Sequence, residues 1–302
     1  MLAGDETPRL PIRQRRHTSP TSGLDRRGLG AVPENVAFSA GAALAHLDLL
    51  MRLEPLPAAL WRDRLALAAA EACAGFASRR ETAAALRDAL HLTRPGDHPG
   101  PAGEIALHWS RAAERPLSAA TLGRALPGMT TERIALCLGG DGAPVARAAA
   151  VLEAVLADAP RAEAEALILA DAALARAAGW AHLLPLLATG LKPRDLRLRG
   201  ADLQQACHRA LMTAARPAAS LAADLTRRAA RLRAVAPKLR ARAADQAVAL
   251  FLSRDALAPA ELTAAVQGGM SDRAARRLCD RLVALGALRE LTGRDTFRLY
   301  GL

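Results

Sequence analysis

The amino-acid sequence predicts a mainly α-helical protein that ends in a small β-hairpin. Hydrophobic residues make up 51% of the 302 residues, and many of them are alanine, which has the highest helix propensity. Aromatic residues make up only 3%. Apolar residues recur every three or four positions along most of the chain, which is the helical period. Because alanine buries little surface, we expect helices that pack closely through small side chains.

Composition divides the chain into three regions. Residues 1–35 are polar, rich in proline, glycine and arginine, and without periodicity, so a disordered tail is predicted. Its RQRR tract could be a phosphate-contacting arm or simply solvated. Residues 36–253 are predicted to form an all-helical body, and residues 254–302 a separate module.

Within the body, proline and glycine mark the predicted helix ends. One helical segment is expected from 57 to about 91, and another over 180–189. Two further helices are expected over 201–215 and 218–234, and another over 238–253.

Two helices open the C-terminal module. Pro259 suits the first turn of a short helix, which the glycine-containing run 267–270 then interrupts. Ser271 is a favourable N-cap for a second helix over 272–285. Gly286 lies where a left-handed residue commonly ends a helix.

A predicted hairpin follows the second helix. Residues 287–291 and 296–300 alternate as two strands, and residues 292–295 form the turn between them. Helix, turn, helix and hairpin is the order of a winged helix, a helix-turn-helix variant. We therefore predict a winged-helix module over 254–302.

The second helix of this module has two distinct faces. Apolar residues share one face, namely Ala275, Leu278, Leu282 and Leu285. Arginines lie on the other, and arginine in a recognition helix can bind guanine edges in the major groove. The expected DNA-binding residues are Ser271, Arg273, Arg276, Arg277 and, at the wing tip, Arg294. A solvated helix in such an arginine-rich chain would show a similar face.

The net charge of +11 favours polyanionic partners. It is concentrated in residues 192–242, which contain 13 basic and 3 acidic residues. We expect accessory phosphate contacts from Arg227, Arg228 and Arg231. The alternatives are a solvated face paired with acids such as Glu153 or Glu163, an acidic protein, or a membrane surface. The last would normally show tryptophan or phenylalanine beside the charges, which this stretch lacks.

Catalytic motifs are not recognisable in the sequence. We find no phosphate-binding loop, nucleophile elbow or paired-carboxylate motif, so we expect no catalytic residue, cofactor or metal. The four cysteines lack CxxC spacing and suggest buried thiols in a reducing compartment. Neither a secretory signal nor a membrane span is expected, which favours a cytoplasmic protein without membrane contact.

Three segments resemble a known family: FSAGAALAHLD at 38–48, ALRDALHLTRPGDHPGPAG at 85–103, and LVALGALRELTGRDTFRLYGL at 282–302. They are similar to a bacterial family of uncharacterised proteins, domain-of-unknown-function family 1403. This resemblance implies no activity, cofactor or site residue. The ending also resembles winged-helix tails of other bacterial proteins, some attached to Fic-type domains, but the Fic motif is absent.

The sequence thus favours a double-stranded DNA-binding protein, such as a transcriptional or plasmid-associated regulator, over an enzyme. One alternative is an interaction scaffold whose winged helix docks another protein or a second copy of the chain. Another is an enzyme with a site in the 91–104 loop, where His91, His98 and Glu104 lie close in sequence.

Overall fold

The computed structural model describes residues 33–302, except for 95, 240–243, 267–268 and 295. Most of the predicted disordered tail, including the RQRR tract, therefore lies outside the described residues. Residues 33–35, which were assigned to this tail, belong to the first helix. Residues 33–302 form one compact unit. The division of this unit between residues 253 and 254 stays a prediction.

The mainly α-helical class is confirmed, and the chain ends in a two-stranded antiparallel sheet. The described residues form the following α-helices: α1 Pro33–Met51, α2 Ala58–Phe76, α3 Ala83–Leu92, α4 Gly100–Glu114, α5 Ala119–Ala125, α6 Thr131–Leu138, α7 Pro144–Asp158, α8 Glu163–Ala177, α9 Leu187–Gly190, α10 Gly200–Val235, α11 Ala244–Phe251, α12 Pro259–Ala265 and α13 Asp272–Ala284. Two short 3₁₀ turns cover Asp195–Arg197 and Ala236–Lys238, and the strands are β1 Arg289–Glu290 and β2 Tyr300–Gly301.

Helix α8 is the centre of the hydrophobic core. Its residues from Ala166 to Ala175 are all at most 2% exposed. Helices α2, α4, α6, α7 and α9 pack around it. Because about half of these positions are alanine, the surrounding helices can approach α8 closely, as the composition predicts.

Helix α10 corrects the prediction of two separate helices over 201–215 and 218–234. It runs without interruption for 36 residues, with Pro217 inside it. Pro217 and Thr213, whose carbonyl loses its helical partner, are both exposed, so water can satisfy that carbonyl. On the opposite side, the indole of Trp61 donates to the Ala218 carbonyl at 2.9 Å. The burial of one face of α10 therefore outweighs the free-energy cost of the hydrogen bond that is lost at Pro217.

Two other helix predictions were wrong. The segment over 57–91 divides into α2 and α3, because the chain turns through Ser78 with a φ of 58°. The expected helix over 180–189 is reduced to the four residues of α9. Asp171 of α8 instead accepts the N–H groups of Leu186 and Leu187 at 3.0 and 3.2 Å, which holds this segment in a non-helical entry to α9.

The C-terminal elements follow the predicted order, but the strand bounds differ. β1 covers two residues of the predicted strand 287–291, and β2 shares only Tyr300 with the predicted strand 296–300. Ser271 caps α13 by accepting the Ala274 N–H at 3.3 Å, and Gly286 ends it with a φ of 64°. In the antiparallel sheet, Arg289 lies opposite Gly301. Leu257, ahead of α12, forms an isolated antiparallel bridge to Tyr300, with both N–H···O distances at 2.9 Å.

Candidate functional site

The solvent-facing side of α13 carries the predicted arginines. Its other side is buried through Ala275, Leu278, Cys279 and Leu282, while Leu285 is partly buried. This separation of faces fixes the rotation of the helix about its axis. The arginine face is therefore turned to solvent, as the sequence pattern predicted.

The arginines on this face differ in their partners. Arg273 and Arg277 are exposed, and neither side chain makes an ion pair or hydrogen bond with the described residues. Arg276 pairs with Asp272 on the same helix at 2.8 Å, and both side chains are more than half exposed. Such an exposed pair contributes little energy, so a phosphate or base could replace the carboxylate.

Arg281 belongs to the same face but was not among the predicted residues. It is exposed and lies one helical turn beyond Arg277, which itself follows Arg273 by four residues. Its side chain also lacks a partner among the described residues. The i, i+4 spacing in the sequence could have revealed it, since the three arginines form one row.

The predicted wing-tip residue contacts the helical body. Arg294 is half exposed, and its Nη2 lies 2.5 Å from Oδ2 of Asp88 on α3. The remaining N–H groups of the guanidinium can still donate to another acceptor. The structure thus attaches the tip of the hairpin to α3.

The predicted accessory arginines lie near the end of α10. Arg227 and Arg228 both bind Asp224, at 3.1 and 2.6 Å. Burial would raise the pKa of Asp224, but the hydrogen bond and charge of Arg228, aided by Arg227, lower it overall.

Arg231 is exposed and brings α10 close to the end of α13. A Cβ placed on Gly286 would lie only 2.6 Å from the Arg231 guanidinium. Glu153, which the sequence offered as a partner for these arginines, instead accepts the N–H of Gly200 at 2.9 Å.

A second site, which the sequence did not predict, joins α2 and α3 to the segment between α11 and α12 and to the C-terminal residue. Asp255 is 4% exposed and accepts hydrogen bonds from Nε of Arg64 at 2.6 Å and Nε of Arg87 at 2.5 Å. Arg64 also donates to the main-chain oxygen of Leu302 at 2.7 Å. Burial favours a higher pKa for Asp255, but the two arginines hold it below its ordinary value.

Next to this ion pair is a cleft of about 500 Å³. His91 lines it, with Nδ1 lying 3.2 Å from Oε2 of Glu261 on α12. Burial would raise the pKa of Glu261, but hydrogen bonds from His91 and the Ala258 N–H lower it overall. Nearby, Asp63 accepts the hydroxyl of Ser110 at 3.2 Å.

The structure does not bring the side chains of His91, His98 and Glu104 together in one site. His91 points to the cleft, whereas the side chain of His98 is 78% exposed and lies 3.4 Å from Glu104. Within the part of the chain that the structure describes, no three histidine, cysteine or acidic side chains are arranged to hold a metal ion.

Sequence reasoning missed the cleft because its residues are far apart in the chain. Asp63 and Asp255 are 192 positions apart, yet the Asp255 N–H donates to Asp63 at 2.9 Å. No local motif marks such a pair. Among the residues of the cleft, the sequence analysis considered only His91, and it grouped His91 with His98 and Glu104 in a possible site of the 91–104 loop.

Comparison with known proteins identifies the family. The model of a family described as a protein of unknown function, DUF1403, matches residues 13–302. The chain belongs to the DUF1403 family. The resemblance of the three sequence segments is thereby confirmed. No curated protein and no solved structure matches this DUF1403 chain. Among its described helices, none is both long and apolar enough to cross a bilayer.

Proposed function

We propose that this DUF1403 protein binds double-stranded DNA through a winged-helix module over residues 254–302. The order of elements supports this fold: an isolated bridge residue at Leu257, the helices α12 and α13, and a hairpin whose second strand contains the bridge partner Tyr300. In this arrangement α13 is the recognition helix, which enters the major groove.

The observation that carries the proposal is the unpaired arginine row on α13. Arg273, Arg277 and Arg281 are exposed and without partners among the described residues, so binding an anion breaks no internal ion pair. Four residues of helix rise by about 6 Å, so the row covers about 12 Å. That length suits a helix lying along one groove. Arginine donors at this spacing can bind guanine edges or phosphates.

Two further groups of arginines support a wider basic surface. Arg231 lies beside the C-terminal end of α13, next to Gly286, and Arg227 and Arg228 lie about one helical turn before it on α10. Arg294 lies on the hairpin, which is the wing of this fold. We assign phosphate contacts to these residues, which would increase affinity without selecting a sequence.

Fluorescence anisotropy with a labelled duplex of mixed sequence tests the proposal. The wild-type protein should bind at low salt, and log Kd should rise linearly with log salt. Replacing the row residues Arg273, Arg277 and Arg281 by alanine should weaken binding at least tenfold. The same triple variant should reduce the salt slope by about one for each phosphate group that it no longer binds.

A variant that loses equal charge elsewhere is the matched control. Alanine at Arg115, Arg124 and Arg161 removes three exposed arginines that have no ion pair among the described residues. It should retain most of the affinity. Equal weakening of the two triple variants would show only a general charge effect and would contradict the α13 assignment. Absence of any duplex binding by the wild-type protein would exclude the function.

Docking of another protein on the hairpin is the second candidate function. Phe297 is 73% exposed and has a φ of 56°, a conformation that is unfavourable for a bulky residue. Val283 of α13 is also 37% exposed. An exposed aromatic side chain is a common anchor in protein interfaces. Light scattering would test self-association, which Phe297→Ser should abolish if a second copy docks here.

A further inference from the structure

The cleft beside Asp255 has walls from both the body and the C-terminal module. On one side are residues of α2, α3 and α4, and on the other are α11, the connecting residues 253–255 and α12. Its volume of about 500 Å³ lies within the range of small-molecule sites, which commonly form where two parts of a protein meet.

Most charged groups in the cleft already have a partner. Asp255 is bound by Arg64 and Arg87, as described above. Glu261 lies 3.2 Å from His91 and 3.6 Å from Arg254. These groups neutralise one another. They leave little net charge with which to attract a ligand.

Asp63 is the exception among the inner charged groups. Its carboxylate accepts the Ser110 hydroxyl and the Asp255 N–H, but no arginine, lysine or histidine of the described residues lies within ion-pair distance. Burial raises the pKa of Asp63, and the neighbouring Asp255 charge raises it further, although its hydrogen bonds and His91 oppose this. A carboxylate has about four acceptor positions, and two of them are in use. A partly buried carboxylate without a cation favours an incoming cationic donor.

The remaining walls are apolar and only partly covered. Leu90, Leu107 and Leu250 line the cleft and are each half-buried, so the protein leaves part of their surface open. At the rim, Arg111 and Glu114 are exposed and of opposite charge. The cleft therefore offers one inner anionic acceptor, a surrounding apolar surface and a rim without a dominant sign.

We propose that this cleft binds a small organic cation with an apolar body, whose ammonium group donates to the Asp63 carboxylate. The apolar part of the ligand lies against Leu90, Leu107 and Leu250. Such a ligand lies against α2, α3, α4 and α11 together, and it therefore stabilises their packing around the cleft.

Calorimetric titration of the full chain with three matched probes tests the proposal. The probes are 2-phenylethylamine, 2-phenylethanol and 3-phenylpropanoate, which share a phenyl group but are cationic, neutral and anionic. The amine should bind at least tenfold more tightly than the alcohol, in keeping with a charge-assisted hydrogen bond, and the anion should bind most weakly. Equal affinities for the three probes, or no binding of the amine at millimolar concentration, would overturn the proposal.

Variants locate the binding site. Asp63→Asn should abolish the preference for the amine over the alcohol. Glu132→Gln removes an exposed carboxylate of α6 outside the cleft and should change the amine Kd less than twofold. Ala59 is exposed on α2, one turn before Asp63, and lines the cleft. Ala59→Phe should weaken the amine and the alcohol alike by filling the space, and it remains informative if Asp63→Asn does not fold. Retention of the amine preference in Asp63→Asn, or of full affinity in Ala59→Phe, would place the ligand elsewhere.

Discussion

Replacing Asp255 by asparagine is expected to reveal how much its ion pairs with α2 and α3 stabilise the chain. The carboxylate is 4% exposed, and the side chains of Arg64 and Arg87 are only 14% and 16% exposed. Without the charge, two largely buried guanidinium groups lose their counter-ion. Removing one partner of a buried ion pair typically costs about 3–5 kcal/mol.

The lower end of this range applies, because the amide oxygen of asparagine can still accept one arginine N–H. We therefore expect Asp255→Asn to reduce the free energy of unfolding by about 3 kcal/mol. For a chain of this size, 1 kcal/mol corresponds to about 2 °C in Tm, so the variant should melt about 6 °C lower. Denaturation by urea and by heat, followed by circular dichroism, measures both quantities.

The effect should also depend on pH in a defined direction. The pKa of Asp255 is depressed in the folded chain, so its stabilising contribution is present above its ordinary pKa of 3.8. That contribution is lost as the pH falls through the depressed folded value. The free energies of unfolding of wild type and Asp255→Asn should therefore show their full difference at pH 7 and become equal only in strong acid.

An exposed ion pair provides the control for this measurement. Asp158 pairs with Arg133, and their side chains are 62% and 39% exposed. Asp158→Asn should cost less than about 1 kcal/mol, since exposed pairs contribute little. If Asp255→Asn costs no more than Asp158→Asn, the arginines are adequately solvated without their partner, and the reasoning from burial is refuted.

Two further predictions concern the core. Asp171 is fully buried, and burial raises its pKa from 3.8 to about 8. The folded state thus holds one more proton than the unfolded state between about pH 4 and 8, so wild-type stability should fall as pH rises through this window, relative to Asp171→Asn. A constant difference between the two in urea titrations would contradict this. A Cβ on Gly190 would lie 2.2 Å from the Ala210 carbonyl oxygen. Gly190→Ala should therefore destabilise the chain by about 2 kcal/mol through overpacking, whereas Gly41→Ala, with nothing within 4 Å, should stabilise it by about 0.5–1 kcal/mol. Equal Tm changes for the two would refute the steric argument.

Local signals predicted the C-terminal helices well. Ser271 and Gly286 act at the ends of α13 through their own backbone geometry, which depends on a few neighbouring residues. The arginine face of α13 was likewise readable from the 3.6-residue period. These features could be predicted because each is decided within about one helical turn.

Features that depend on distant residues could not be predicted in this way. The continuity of α10 through Pro217 depends on the burial of its opposite face, where Trp61 contacts Ala218 from 157 positions away. The Asp255 site likewise draws on Arg64 and Arg87, which lie in different helices of the body. Only the tertiary arrangement brings these residues together.

Helix α3 connects the cleft with the proposed DNA-binding surface. Its consecutive residues Arg87 and Asp88 hold two parts of the C-terminal module: Arg87 binds Asp255 at the base, and Asp88 binds Arg294 on the hairpin. The Asp255 contact is buried and the Arg294 contact is half exposed, so they differ in how easily solvent or a ligand replaces them. A DNA phosphate could therefore displace Asp88 from Arg294 while the buried ion pair keeps the module attached. For that reason the base of the proposed module is expected to stay fixed on the helical body if the hairpin contacts DNA as proposed.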